Sequence, residues 1–212
     1  MRSEGALAGI NGGAFNDDGT ANSYVGAIPA GLVMAGGKVK SDTAYEYLQE
    51  QGFAGFNQDN ILIVAKDMTA EKALELGIRD GCCFGPVLLM DGEVNLEAYN
   101  NNSGFNPRTA IGQRADGAVI FVCIDGRQVA SPGGTYADII NIMVEFGAVN
   151  ACNLDGGSST VMLYKDQQGL YKDDDSRQHF GNDIVMINNY SLLQSEPRRM
   201  PTFFMVRPAD ED

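Results

Sequence analysis

Nine short apolar runs constrain this chain more than any other feature. They are Leu7–Ile10, Leu32–Ala35, Ile61–Ala65, Val87–Met90, Val119–Ile124, Val149–Leu154, Val161–Tyr164, Ile184–Ile187 and Phe203–Val206. Each has the length of one β-strand, and none could span a membrane as a helix. Several are apolar at almost every position, the pattern of strands covered on both faces. Between them lie many of the 26 glycines in 212 residues, so turns must be frequent. Asp91-Gly92 and Asp125-Gly126 read as hairpin turns, the first leading into Glu93-Val94 and the second into Arg127–Ala130.

Three helices are expected. One covers Thr43–Gln51, with Thr43 and Glu46 as a capping box and Gly52 as the stop. A second covers Thr69–Leu76, followed by Gly77. The third, Tyr136–Phe146, has Thr135 and Asp138 at its start, a stripe of Ile140, Met143 and Val144, and Gly147 at its end. No repeat and no linker is visible. The expectation is one α+β domain over residues 1–212, with helices packed on a mixed β-sheet.

The net charge of −13 excludes the basic face that nucleic acid requires and disfavours docking on anionic lipid. Asp173–Asp175 and the acidic tail within 208–212 read as solvated loop and tail; the first matches no calcium-loop spacing. The four cysteines form no CxxC pair, and the single His179 rules out a multi-histidine metal site. No metal and no cofactor is expected. No signal peptide is visible at the start of the sequence.

Five clusters could carry chemistry. They are Asn11-Gly12-Gly13-Ala14-Phe15, Gly85–Gly92, Asn106-Pro107-Arg108-Thr109-Ala110-Ile111-Gly112, Asp125-Gly126-Arg127, and Asn153-Leu154-Asp155-Gly156-Gly157-Ser158-Ser159-Thr160. The last is the richest. A strand delivers a carboxylate into a loop whose glycines bring main-chain N–H groups close to a ligand, with three hydroxyls beside them.

Taken in order, these clusters resemble the phosphodiester glycosidase family. That family includes the mammalian enzyme that uncovers mannose-phosphate tags, and bacterial members labelled exopolysaccharide-related. The resemblance covers roughly Ala8 to Met186. Three departures stand out: Ala14 precedes Phe15 where relatives carry a second aromatic, Ser158 replaces a usual glycine, and the chain begins close to the Asn-Gly-Gly motif. Ser176–Asn182 is similar to a C-terminal arginine-to-asparagine motif of the family.

The resemblance implies hydrolysis of a sugar-1-phosphodiester at the anomeric carbon, with N-acetylglucosamine-1-phosphate linkages among the substrates, in a secreted or cell-envelope setting. It implies Asp155 as the principal acid, Asp125 as a second carboxylate, and Arg108 and Arg127 as phosphate clamps. Asn11, Gly12, Gly13, Asn153, Gly156, Gly157, Ser158 and Ser159 would contact the substrate, with Arg177 and His179 as weaker candidates. The alternatives are a non-catalytic glycan- or teichoic-acid-binding module of an envelope or virion assembly, and a phosphatase or nucleotide-binding protein using the Gly-Gly-Ser-Ser loop for phosphate, though the lysine and spacing of a P-loop are missing.

Overall fold

A computed structural model describes residues 5–16, 28–43, 52–181, 183–189 and 197–208. In chain order the strands are β1 (Ala8–Asn11), β2 (Phe15–Asn16), β3 (Ile28–Pro29), β4 (Gly31–Ala35), β5 (Lys38–Thr43), β6 (Gly52–Asn57), β7 (Leu62–Ala65), β8 (Ile78–Phe84), β9 (Val87–Met90), β10 (Glu93–Val94), β11 (Arg108–Arg114), β12 (Val119–Ile124), β13 (Ala148–Leu154), β14 (Met162–Lys165), β15 (His179–Phe180), β16 (Ile184–Met186) and β17 (Phe203–Val206). The helices are α1 (Ala70–Glu75), α2 (Leu96–Tyr99) and α3 (Tyr136–Glu145).

These strands form three five-stranded sheets, ordered β15-β16-β14-β1-β17, β10-β9-β13-β11-β12 and β5-β4-β8-β6-β7, with a two-stranded β2-β3 ribbon. Every described pairing is antiparallel. The single mixed sheet expected from sequence is therefore corrected: the protein is mostly β, with few helices.

The apolar runs have a simple cause. A central cluster takes Val87, Ile111, Cys152 and Leu154 from the second sheet, Val33, Ala54, Val64 and Cys82 from the third, and Ile10 and Phe204 from the first. The neighbours of these residues in sequence point the other way. Leu88, Ala110 and Ala151 pack under α2 and α3 with Ile139, Ile140 and Met143. Leu32, Met34, Phe53 and Ile78 pack with Ala73 of α1. Both faces of two sheets are thus covered, by a sheet on one side and helices on the other. That burial, not parallel pairing, makes the strands apolar throughout.

Each described helix starts on a side-chain cap. Thr69 accepts the Lys72 N–H, Asn95 accepts those of Glu97 and Ala98, and Thr135 and Asp138 form a reciprocal capping box. The helix expected over Thr43–Gln51 falls outside the described residues beyond Thr43, which itself closes β5. The acidic tail beyond Pro208 lies outside them too. Asp91-Gly92 does connect β9 to β10. Asp125-Gly126 does not open a second strand: Arg127–Ala130 is a bend, so the expected hairpin there is corrected.

Candidate active site

All five sequence clusters meet at the C-terminal end of β13. The half-buried Asp155 follows that strand, and its N–H donates to the Gly12 carbonyl at 3.1 Å. Asn11, the last residue of β1, donates from Nδ2 to the Asp155 carbonyl at 2.5 Å. Its Oδ1 accepts the Thr109 hydroxyl at 2.8 Å and the Val161 N–H at 3.1 Å. The Gly85-Pro86 segment, with a cis peptide, brackets the same strand end. Gly85 N–H donates to the Asn153 carbonyl, Asn153 N–H to the Pro86 carbonyl, and Asn153 Nδ2 to the Gly85 carbonyl at 2.7 Å.

Pro107 is the hub for the remaining motifs. Its carbonyl accepts the Gly157 N–H at 2.8 Å. A Cβ on Gly156 would lie 2.6 Å from that carbonyl oxygen, and a Cβ on Gly126 would lie 2.6 Å from the Pro107 nitrogen. Side chains at either glycine would force these loops apart. The loop then makes a 3₁₀ turn over Gly157–Ser159, with Ser159 N–H on the Gly156 carbonyl and Thr160 N–H on that of Gly157. The amide of Gly157 is therefore bonded to Pro107 and that of Ser159 to the loop itself. The Gly156 N–H has no hydrogen-bond partner among the described residues. Buried Thr160 Oγ1 and Asn153 Oδ1 also lack a partner, and such groups in a closed core call for water or ligand donors.

The two arginines flank this loop differently. Arg127 is exposed and adopts φ +58°, a left-handed conformation uncommon outside glycine. Its guanidinium lies over Gly157, where an added Cβ would come 3.1 Å from Nη2, and Nη2 donates to Asn106 Oδ1 at 3.3 Å. Arg108 is buried. Its Nε donates to the Gly134 carbonyl and its Nη2 to those of Ser103 and Gly104, and it stacks 4.3 Å from the centre of the Tyr136 ring. No carboxylate among the described residues pairs with it, so carbonyl dipoles solvate the charge without neutralising it.

Other candidates take different places. Asn11 is 3% and Asn153 1% exposed; both ends of the Asn11 amide are bonded to the protein, whereas only Nδ2 of Asn153 is. Gly12 and Gly13 donate their N–H groups to the carbonyl and hydroxyl of Thr202, so both are occupied as well. Asp125 accepts the Asn189 N–H with both carboxylate oxygens, at 3.0 and 3.1 Å, and belongs to a clasp that Gln128 completes on the Asn189 carbonyl. Arg177 binds Asp174 and the Ile187 carbonyl and lies 5.0 Å from the Tyr171 ring centre. His179 Nε2 contacts the Asp174 carbonyl. Hydrogen bonds from Ser176 and from Arg177 hold the Asp174 carboxyl below the usual aspartate range.

Sequence reading passed over Thr109, Thr202, Asn188 and Arg198. Asn188 joins Met162 N–H to the Thr160 carbonyl, and Arg198 stacks on Phe15 at 4.4 Å. The Asn106–Gly112 cluster contains Thr109 but does not reveal its distant contact with Asn11, and no local motif marks the other three. Among the described residues no group of three or more His, Cys, Asp or Glu is arranged to hold a metal.

The chain belongs to the phosphodiester glycosidase family, whose sequence profile matches residues 4–207. It is 31% identical over 140 residues to the SPbeta prophage-derived uncharacterized protein YomE of Bacillus subtilis, covering 61% of this chain and 22% of that protein. Its fold is similar to the catalytic domain of zebrafish N-acetylglucosamine-1-phosphodiester alpha-N-acetylglucosaminidase, solved auto-inhibited by its pro-peptide. The TM-score is 0.69 at 18% identity, over 98% of this chain and 65% of that one. A putative exported protein from Burkholderia pseudomallei is similar with TM-score 0.54 at 15% identity, over 98% of this chain and 67% of that one.

Proposed function

We propose that the chain hydrolyses a sugar-1-phosphodiester at the anomeric carbon. The observation that carries this reading is the pairing of one half-buried carboxylate, Asp155, with two guanidinium groups on the same loop system, one exposed over Gly157 and one buried without a carboxylate partner. Glycosidases that expel a sugar alcohol need two working carboxylates, because the leaving oxygen must be protonated. Asp125 accepts the Asn189 N–H, while Asp155 sits at the end of β13 where the glycine loop begins, so the principal acid role is assigned to Asp155. A phosphate departs without protonation, so one carboxylate and a cation suffice.

In this scheme the C1–O bond to phosphate breaks and water supplies the new C1–O bond. Asp155 serves the anomeric carbon as nucleophile, as base for the water, or as counter-charge to the oxocarbenium ion. Arg127 faces the departing phosphate, and its planar fork can hold two phosphate oxygens. Arg108 adds a fixed positive potential from beneath, weakly screened by water.

Asp155→Asn should lower release of sugar from a sugar-1-phosphodiester by about 10³-fold or more, the scale of losing a catalytic carboxylate, while thermal melting stays near wild type. A folded variant with near wild-type turnover would remove Asp155 from the chemistry. A second reading, a non-catalytic glycan-binding module within a larger assembly, is supported by the match to only 22% of its prophage relative. Saturable binding of a sugar phosphodiester by the wild-type protein with no turnover would favour that reading.

A further inference from the structure

One carboxamide closes both ends of the loop that carries Asp155. Asn11 Nδ2 donates to the Asp155 carbonyl at 2.5 Å, and Oδ1 accepts the Val161 N–H at 3.1 Å, so the seven residues from Asp155 to Val161 begin and end on one side chain. The main chain repeats the grip. Asn11 N–H donates to the Val161 carbonyl at 3.2 Å, and Asp155 N–H to the Gly12 carbonyl at 3.1 Å. Val161 N–H can only donate, so the amide oxygen must face it, which turns the NH₂ towards Asp155. The Thr109 hydroxyl then adds a third bond at 2.8 Å, from a residue that is 0% exposed. Three elements meet here: β1 supplies Asn11, β11 supplies Thr109, and β13 ends at Asp155.

Side-chain chemistry makes the choice narrow. Aspartate would offer two acceptors and set a buried negative charge against the Asp155 carbonyl. Leucine would offer neither donor nor acceptor, leaving Val161 N–H unpaired in the core and the Thr109 hydroxyl with only its contact to Cys123 Sγ at 3.9 Å.

We propose that Asn11 is a positioning residue for Asp155 and not a sugar ligand, and that Thr109 is a further positioning residue acting through Asn11. The consequence for turnover rests on the phosphodiester glycosidase reading; the staple itself does not. The experiment compares Thr109→Val, Thr109→Ser, Asn11→Ala and the Asn11→Ala/Thr109→Val double variant. It reads kcat and KM on a sugar-1-phosphodiester, and hydrogen exchange at the Val161 amide.

Thr109→Val should lower kcat about fivefold, the worth of one neutral hydrogen bond, with KM little changed, and Thr109→Ser should restore it. Asn11→Ala should lower kcat further and speed Val161 exchange, and adding Thr109→Val to it should cost nothing more. Full additivity of the two losses overturns the relay through Asn11. A raised KM with unchanged kcat in Asn11→Ala makes Asn11 a ligand instead. If the wild-type protein turns over no sugar phosphodiester, the glycosidase reading falls alone, and unchanged Val161 exchange in Asn11→Ala then sinks the staple. Should Asn11→Ala not fold, the near-isosteric Thr109→Val and Thr109→Ser pair decides: equal kcat in both removes Thr109 from the mechanism.

Discussion

Arg108 and Arg127 show how two identical side chains can contribute differently within one site. Arg108 is fixed by three carbonyls and the Tyr136 ring, and its removal would break all three hydrogen bonds and leave a void beneath that ring. Its substitution should therefore disturb the fold as well as the chemistry. Arg127 is exposed, so its substitution should leave thermal melting nearly unchanged. Arg127→Ala should cost about 10²-fold more in kcat/KM on a sugar phosphodiester than on an aryl glycoside, whose leaving group carries no phosphate charge. Equal losses on the two substrates would remove Arg127 from the phosphate. Residue types in the motifs are what single out Asp155 and both arginines as candidates. They could not separate Asn11 and Asn153 from ligand-facing residues. An asparagine beside glycines looks like a binding group, and its true partner can lie 144 positions away.

Among the elements, α3 was the most legible because its signals are local. Thr135 and Asp138 form the capping box within three residues, and Ile139, Ile140 and Met143 face the sheet, while Val144 of the expected stripe is exposed and Ile139 takes its place. Thr135→Ala should lower the unfolding free energy by about 1 kcal/mol, read as a lower midpoint in chemical denaturation; an unchanged midpoint would show the cap to be redundant with packing. β6 and β8 escaped notice because glycine interrupts their apolar pattern. Gly55 and Gly81 are register partners, and the Phe53 ring occupies the space their side chains would fill. β5 escaped for the opposite reason, being largely exposed. Antiparallel layering was not legible at all. A strand buried on both faces looks the same whether its cover is a helix or a second sheet.

At the scale of the whole molecule, the core stores its thiols in the neutral form. Burial pushes Cys82, Cys83 and Cys152 above the ordinary thiol range of 9.0, and Cys123 to about 12. A raised folded pKa means that the folded state holds its protons more tightly than the unfolded chain. That contribution is complete below about 9 and is lost as pH rises through the window between the unfolded and folded values. Thermal stability should hold steady up to about pH 9 and fall steeply above it. Native protein should also react slowly with a thiol reagent at pH 8, while the denatured chain titrates four cysteines. Fast labelling of all four in the native state would contradict the buried core.

The pairing of β1 has a consequence for synthesis. This strand joins β14 on one side and β17 on the other, more than 150 positions further along the chain. Asn11 leaves the ribosome 150 residues ahead of Val161, so the staple around Asp155 closes only after that whole stretch has followed. Until then β1 stands with two open edges, which makes the nascent polypeptide a natural client for chaperones that shield extended apolar segments.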